Sequence, residues 1–356
     1  MWILMYNKLI IFIGTLQSGG SERVVSEVSA MYADHFQEVI VLTYYDAKVF
    51  YKLDPRVRLE CVERHTSSRN IIKNAFWIRH FVKKEHPTTF VSFMLPFNVL
   101  SIWVLMFLRI PIAVCERSDP ENVGNRFLRL LRNITYHFCD KIQVQTNAGK
   151  SYFSSCLQKK ILVIPNPNHI TLAERDWALG HVKENRIVTV GRLIPEKNHE
   201  MLIEAFAMIC KENPQYILDI YGEGNLRSVL QNKIGTLGLE HKVFLHGNVN
   251  DVTCHIASAK MFVLSSDIEG MPNALMEAMA LGLPCVATDV SGVRDIIEDG
   301  MNGYIVPCNN KKLLAYKMNV LLKNPDMMGQ FSDNTKVVFE KFDSDKISCL
   351  WLDLVK

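Results

Sequence analysis

The chain has 356 residues, 48% hydrophobic and 22% charged, with a formal net charge of +3. That length exceeds a usual single domain and points to about two, and the balance is that of a well-cored soluble protein. The nine cysteines are odd in number and scattered, with no C-x-x-C, so neither a disulfide frame nor a zinc site is indicated and a reducing cytoplasm is expected.

The charge is unevenly spread. Residues 1–170 carry 21 Lys and Arg against 13 Asp and Glu, a balance of +8, whereas residues 171–356 carry 19 against 24, a balance of −5. The first half should therefore prefer an anionic partner. On charge a nucleic acid, a phosphorylated lipid and an anionic membrane fit equally, and no nucleic-acid motif occurs.

In chain order, residues 1–14 hold a short apolar run interrupted by Asn7 and Lys8. No small-residue cleavage site follows, so no signal peptide is expected. Buried strands are predicted at 9–13, 38–43, 89–93, 112–115, 141–145 and 161–164, with a helix at 21–33. The most apolar segment, 98–115, is cut by Arg109 and Pro111 short of a span of about 20 residues. It reads as a buried helix followed by a strand. Pro165-Asn166-Pro167-Asn168 and the polar stretch to 185 read as a linker. The pattern then restarts, with strands at 186–190, 216–221, 243–245, 261–264 and 285–288 and a helix at 200–211. Alternation of this kind implies parallel sheets with crossover helices. The fold class is α/β: two doubly wound Rossmann-like domains, 1–168 and 186–342. In such sheets ligands bind at the carboxyl ends of the strands, and a two-domain version binds in the cleft between.

The stretch 262–289, FVLSSDIEGMPNALMEAMALGLPCVATD, carries the chemistry. Glu269 lies on the loop past a strand end and Glu277 just over one turn into the next helix. Pro272 suits a first helical turn, and the amides of Asn273, Ala274 and Leu275 form a site for phosphate. Carboxylates repel phosphate but accept hydrogen bonds from hydroxyls. A diphosphate on the helix start with sugars at Glu269 and Glu277 describes a nucleotide sugar. The run EGMPNALMEAMALGLPCVATDVSGVRDIIEDGMNGYIV resembles the Glu-x7-Glu signature of glycosyltransferase family 4, retaining transferases of the GT-B architecture. The resemblance spans nearly the whole chain, because an early glycine loop, a linker, a basic motif and the Glu pair come in the family's order.

The resemblance implies that Glu277 binds the ribose, that Glu269 lies beside the transferred sugar, and that the amides after Gly270, that of Met271 and those past Pro272, hold the diphosphate. GRLIPEKN, 191–198, places Arg192 and Lys197 on one loop, where they can stabilise a departing diphosphate. No metal or other cofactor is then expected; Asp343-Ser344-Asp345, the one D-x-D, reads as a helix cap. Gly19 and Gly20 lie in a strand–helix loop that lacks the dinucleotide fingerprint, with Ser21 able to cap. The resemblance places this loop at the donor diphosphate. It places Gly222, Glu223, Gly224 and Val249 near the nucleotide, although turn geometry alone also explains glycines there. Many relatives carry a histidine where this chain has Arg117. Arg117 is expected to bind acceptor or donor phosphate and Asp119 a sugar hydroxyl, the alternative being an Arg117 ion pair with Asp119 or Glu116.

Two basic amphipathic stretches, 69–87 and 125–138, suit a membrane surface. The tail 343–356 is expected to cross back to the first domain. Taken together, these features describe a retaining glycosyltransferase moving a hexose or N-acetylhexosamine from a UDP-sugar to a polyprenyl-diphosphate-linked saccharide, in surface polysaccharide (O-antigen type) synthesis. It would sit at the cytoplasmic face of the inner membrane. The alternatives are a nucleotide-sugar epimerase on the same fold and a non-catalytic nucleotide-sugar or lipid-binding protein.

Overall fold

A computed structural model describes residues 6–17, 19–249 and 251–356. Residues 1–5 of the first apolar run, Ser18 of the first glycine loop and Asn250 of the 244–252 segment lie outside the described residues. The chain divides into two compact units, one of Met1–Asn166 with Asp345–Lys356, the other of Pro167–Ser344.

The first unit is built on a seven-stranded sheet in the order β3-β2-β1-β4-β5-β6-β7. Its strands are β1 (Tyr6–Ile13), β2 (Phe36–Thr43), β3 (Val57–Cys61), β4 (Thr89–Phe93), β5 (Ile112–Cys115), β6 (Lys141–Val144) and β7 (Ile161–Val163). The second unit has six, in the order β10-β9-β8-β11-β12-β13. These are β8 (Arg186–Val190), β9 (Ile217–Tyr221), β10 (Val243–Gly247), β11 (Met261–Leu264), β12 (Cys285–Thr288) and β13 (Gly303–Val306). All ladders are parallel. Helices cover both faces of each sheet, so the central strands are buried on both sides. That is why β4, β5, β11 and β12 read as continuous apolar runs and not as alternating ones.

Two strands were not foreseen, β3 and β13. Both are edges. In β3, Arg58 and Glu60 are only half-buried, so the apolar signal is diluted where one side of the strand has no neighbour. The stretch read as a linker also holds structure. The helix Leu172–Gly180 opens with a capping box, in which Thr171 Oγ1 accepts from the Glu174 amide and the Glu174 carboxylate accepts from the Thr171 amide. Arg175, on that helix, is buried and donates to the carbonyls of Met279 and Ala280 and to Thr335 Oγ1. A T-x-x-E box is a start signal, and the polar composition around it obscured it.

The last helix, Ser344–Val355, belongs to the first unit. Trp351 is buried against Phe93, its ring stacked at 6.0 Å. Its carbonyl accepts from Tyr32 Oη at 2.6 Å, and Thr89 Oγ1 donates to the Val355 carbonyl.

In each sheet the strand order reverses once, between β1 and β4 and between β8 and β11. Ligands of open α/β sheets bind past the carboxyl ends of the strands at such a reversal.

Candidate active site

In the second unit, the loops that follow β8 and β11 are neighbours at the reversal. The β8 loop, 191–198, carries Arg192 and Lys197; the β11 loop, 265–272, carries Glu269. Backbone and side chains bind the two loops together. The Asp267 amide donates to the Glu196 carbonyl at 2.8 Å, and Ser265 Oγ donates to the Lys197 carbonyl at 2.9 Å. Asn198 Nδ2 donates to Asp267 Oδ2 at 2.9 Å. Asn198 itself adopts a left-handed backbone (φ 45°) and its Oδ1 accepts from the Met201 amide, capping the helix His199–Ile209. Left-handed backbone is tolerated by asparagine better than by most residues, and its short amide can cap and cross-link together.

The consequence for the charges differs from the sequence reading. Lys197 Nζ is not left free for phosphate: it pairs with Glu269 Oε1 at 2.5 Å, with side chains 22% and 10% exposed. Ser266 Oγ donates to the same carboxylate oxygen at 2.7 Å. The Arg192 guanidinium is exposed, with no hydrogen-bond or ion-pair partner among the described residues. So the structure brings Lys197 and Glu269 into contact and puts Arg192 on the same loop, five residues before Lys197.

The helix Asn273–Ala280 follows directly. Pro272 is its N-cap, with extended backbone, one position earlier than the first-turn place expected, and its side chain makes no cap hydrogen bond. The first amides of a helix have no intrahelical acceptor, so Asn273, Ala274 and Leu275 present the positive end of the helix dipole beside the Lys197–Glu269 pair. Glu277 is half-buried on this helix, between the buried Met276 and Ala278. Gly270 and Met271 form the turn that leads in, with Met271 buried.

A residue that sequence reasoning missed packs on that turn. Gly292 sits at φ 83°, and a Cβ there would meet Gly270 O at 3.0 Å and Met271 Cα at 3.1 Å. The loop after β12 therefore closes backbone-to-backbone on the Gly270 turn. His199 was also missed. It is 3% exposed, and its Nε2 lies 3.2 Å from the Arg192 carbonyl. A carbonyl only accepts, so Nε2 carries the hydrogen. Burial lowers this imidazole to about 4, which keeps it neutral. Its place just before the predicted helix 200–211 was the only signal available for it.

Gly222 and Gly224 have a steric role in the loop packing. A Cβ on Gly222 (φ 136°) would lie 2.1 Å from Gly191 O, and one on Gly224 2.3 Å from Leu193 O. The amides of Gly191 and Leu193 donate to the carbonyls of Tyr221 and Glu223. These glycines let one loop press on the backbone that carries Arg192. The Glu223 side chain pairs with Arg227 at 2.6 Å. Val249, after β10, is partly buried against the core on the helix 273–280 side of the sheet.

In the first unit, Gly19 is the N-cap of the helix Gly20–Tyr32, so Ser21 lies inside the helix and is not its cap. Past β5, Arg117 forms neither of the ion pairs weighed for it. Glu116 is buried, accepts from Tyr136 Oη at 2.6 Å and lies 3.8 Å from the buried Arg132; desolvation raises its carboxyl. Asp119 holds its own turn, accepting from the Glu121 amide and from Asn122 Nδ2. Arg117 Nη2 donates to Asn166 Oδ1 at 2.5 Å, while Nε and Nη1 are shielded from solvent with no hydrogen-bond partner among the described residues. Burial lowers this guanidinium to about 10. Two unsatisfied donors on a shielded cation are costly unless an anion takes them.

Residues 173–338 match the family described as Glycosyl transferases group 1. Over 98% of its length the chain is 29% identical to 98% of the Campylobacter jejuni GalNAc-alpha-(1->4)-GalNAc-alpha-(1->3)-diNAcBac-PP-undecaprenol alpha-1,4-N-acetyl-D-galactosaminyltransferase. Among solved structures, a Staphylococcus aureus TarM mutant in complex with Fondaparinux, alpha-GlcNAc-glycerol and UDP superposes with TM-score 0.82 at 16% identity, covering 99% of this chain and 100% of that one. Anabaena Alr3699/HepE in complex with UDP and glucose gives 0.80 at 18%, covering 97% and 98%. The fold is that of the GT-B glycosyltransferases, with two parallel Rossmann-like sheets.

Proposed function

We infer that this chain, a glycosyltransferase of group 1, moves a hexose or N-acetylhexosamine from a UDP-sugar to a polyprenyl-diphosphate-linked saccharide with retention of configuration. The observation that carries the reading is the Lys197–Glu269 pair, set on adjacent loops beside the start of the helix Asn273–Ala280. A cation, a carboxylate and a row of amides at one strand reversal suit a ligand that is a diphosphate at one end and a polyol at the other. The complexes of TarM and HepE with UDP and the undecaprenol-linked substrate in the Campylobacter relative's name support the choice of donor and acceptor. Surface polysaccharide of O-antigen type is the product class.

In this mechanism the amides of Asn273, Ala274 and Leu275, with Arg192 and Lys197, hold the diphosphate. They stabilise the charge that gathers on it as the bond from the anomeric carbon to the β-phosphate oxygen breaks. Glu277 accepts from the ribose hydroxyls and Glu269 from the sugar. The acceptor hydroxyl attacks from the face the phosphate leaves, and its proton passes to the departing β-phosphate oxygen, so configuration is kept. Arg192 and Lys197 do the work a divalent cation would otherwise do, and no metal or other cofactor is required. Arg117, through its two shielded N–H groups, binds a phosphate of the acceptor. The basic stretches 69–87 and 125–138 hold the protein loosely at the anionic cytoplasmic face of the inner membrane.

The test is a screen of UDP- and GDP-sugars against a short-chain polyprenyl-diphosphate saccharide, with the product identified by mass and NMR. An α-linked product from an α-UDP-sugar is expected. Isomerised donor without transfer would show an epimerase, and no turnover with any pair would show a binding protein.

A further inference from the structure

We propose that the outward end of the helix Leu95–Leu105 is a lipid-insertion wedge. Trp103 and Phe107 enter the boundary between headgroups and acyl chains of an anionic bilayer, while cations of the two flanking helices rest on the headgroups. This rests on the lipid-linked acceptor inferred above. It adds the element that enters the lipid, which lies outside both basic stretches.

Three helices, Ile71–Glu85, Leu95–Leu105 and Arg126–Thr135, form a layer on one face of the first sheet, with Leu95–Leu105 in the middle. Their inner sides are spent on the core: Ile78, Phe81, Val82, Val99 and Ile102 are buried against it. Their outer sides are apolar too. Phe76 is 71% exposed on the first helix, Trp103 50% on the second, and Phe127 72% on the third. Leu130, Ile134 and Phe138 continue from Phe127 at helical spacing and are also exposed. Scattered exposed apolar residues are ordinary, but large exposed ones on all three helices of one layer mark an interaction site.

Phe107 is the most exposed of these residues, at 88%. It adopts a left-handed backbone (φ 69°), and so does Arg109 two residues on (φ 54°). Bulky residues in that region are strained and persist only where the surroundings enforce them. The enforcing contact is Arg79 of the neighbouring helix, whose Nη1 donates to the carbonyls of Val104 at 2.6 Å and Met106 at 3.0 Å. Arg79 belongs to the basic stretch 69–87, but its guanidinium is spent on pinning the wedge.

The charge of the face selects its occupant. Residues 71–84, 95–115 and 125–138 contain no Asp or Glu, whereas Lys73, Lys83, Lys84, Arg109 and Arg126 are exposed. A two-fold dimer would set this patch against itself, and cations would meet cations. A bilayer with anionic headgroups satisfies both the apolar centre and the basic surround. No described helix is long and apolar enough to cross a membrane, so the contact would be interfacial.

The experiment is sedimentation with vesicles of phosphatidylcholine alone or with about 30% phosphatidylglycerol, a fraction at which basic proteins partition measurably. The wild-type chain should bind the anionic vesicles and release at high salt. Phe107→Asp and Trp103→Ser should each lower partitioning at least tenfold. Phe107→Gly, which suits the left-handed backbone, should do the same with the fold intact. Transfer to full-length polyprenyl acceptor in vesicles should fall in parallel, while transfer to a short-chain soluble acceptor stays at wild-type rate. Binding of all three variants equal to wild type would overturn the proposal. So would a wild-type dimer in size-exclusion chromatography that Phe107→Asp converts to a monomer, since the occupant would then be a second copy. If the soluble acceptor is also unused by wild type, the fault lies with the functional reading and not with the wedge.

Discussion

Glu269→Gln and Lys197→Ala should change UDP affinity in opposite directions, although each removes half of one ion pair. In the free protein Lys197 Nζ lies 2.5 Å from Glu269 Oε1. At an effective dielectric of about 20 the gross attraction is roughly 7 kcal/mol, most of it offset by desolvation. With side chains 22% and 10% exposed, the pair lies between surface pairs, worth about 0–1 kcal/mol, and buried ones, whose rupture costs about 3–5 kcal/mol. About 2 kcal/mol net is a fair value. A diphosphate that recruits Lys197 must draw it away from Glu269 at that cost. Glu269→Gln keeps the shape and an acceptor for Ser266 but removes the competing charge, so UDP should bind up to ~30-fold tighter while turnover falls at least tenfold. Lys197→Ala leaves the carboxylate facing the phosphates, and UDP should bind at least tenfold more weakly. Isothermal titration with UDP reads both, and steady-state transfer reads the turnover. A Glu269→Gln variant that binds UDP no tighter than wild type would show that Lys197 is not recruited by phosphate.

The remaining predictions concern the supports of the site. Gly222→Ala should destabilise the second unit by roughly 2 kcal/mol or more and weaken UDP, because its methyl would lie 2.1 Å from Gly191 O. Gly180→Ala, where nothing lies within 4 Å, should be neutral or slightly stabilising in the same urea titration. His199 takes a proton near 6.5 when unfolded but only near 4 when folded. The unfolded chain therefore binds more protons as pH falls from 6.5 to 4, and stability is lost across that window, up to roughly 3 kcal/mol. Compared with wild type, His199→Asn should lose less stability between pH 7 and 5; equal losses would remove His199 from the account. Arg117→Ala should damage acceptor use more than donor hydrolysis, because its two shielded N–H groups are assigned to an acceptor phosphate. Equal loss of both would make it structural.

The central strands were legible because parallel strands buried on both faces are short, almost purely apolar runs. The edge β3 was not, since one side of it lacks a neighbour and the charges of Arg58 and Glu60 enter the pattern; β13, the four residues GYIV, was missed although it carries no charge. The helix Leu172–Gly180 hid in polar sequence although its capping box was visible. At the site, the local motifs carried the residues: GRLIPEKN marked the β8 loop, and the two glutamates marked the β11 loop and its helix. What local sequence could not carry is pairing across loops. That Lys197 would be held by Glu269, that Gly222 would face Gly191, and that Gly292 would close on Gly270 all follow from strands distant in sequence becoming neighbours. Arg79 is the same case in the first unit: its charge was plain, but its carbonyl partners belong to another helix.

The central claim is that a nucleoside diphosphate is gripped by the 191–198 loop and the amide end of the helix Asn273–Ala280. Calorimetric titration of UDP into Arg192→Ala beside wild type tests it most directly, because Arg192 is exposed and its guanidinium makes no hydrogen bond or ion pair among the described residues. The account predicts saturable heat with wild type and at least tenfold weaker binding with the variant, with the melting temperature close to that of wild type. Equal affinity in the two proteins, or no heat from wild type with either UDP or GDP, would contradict it.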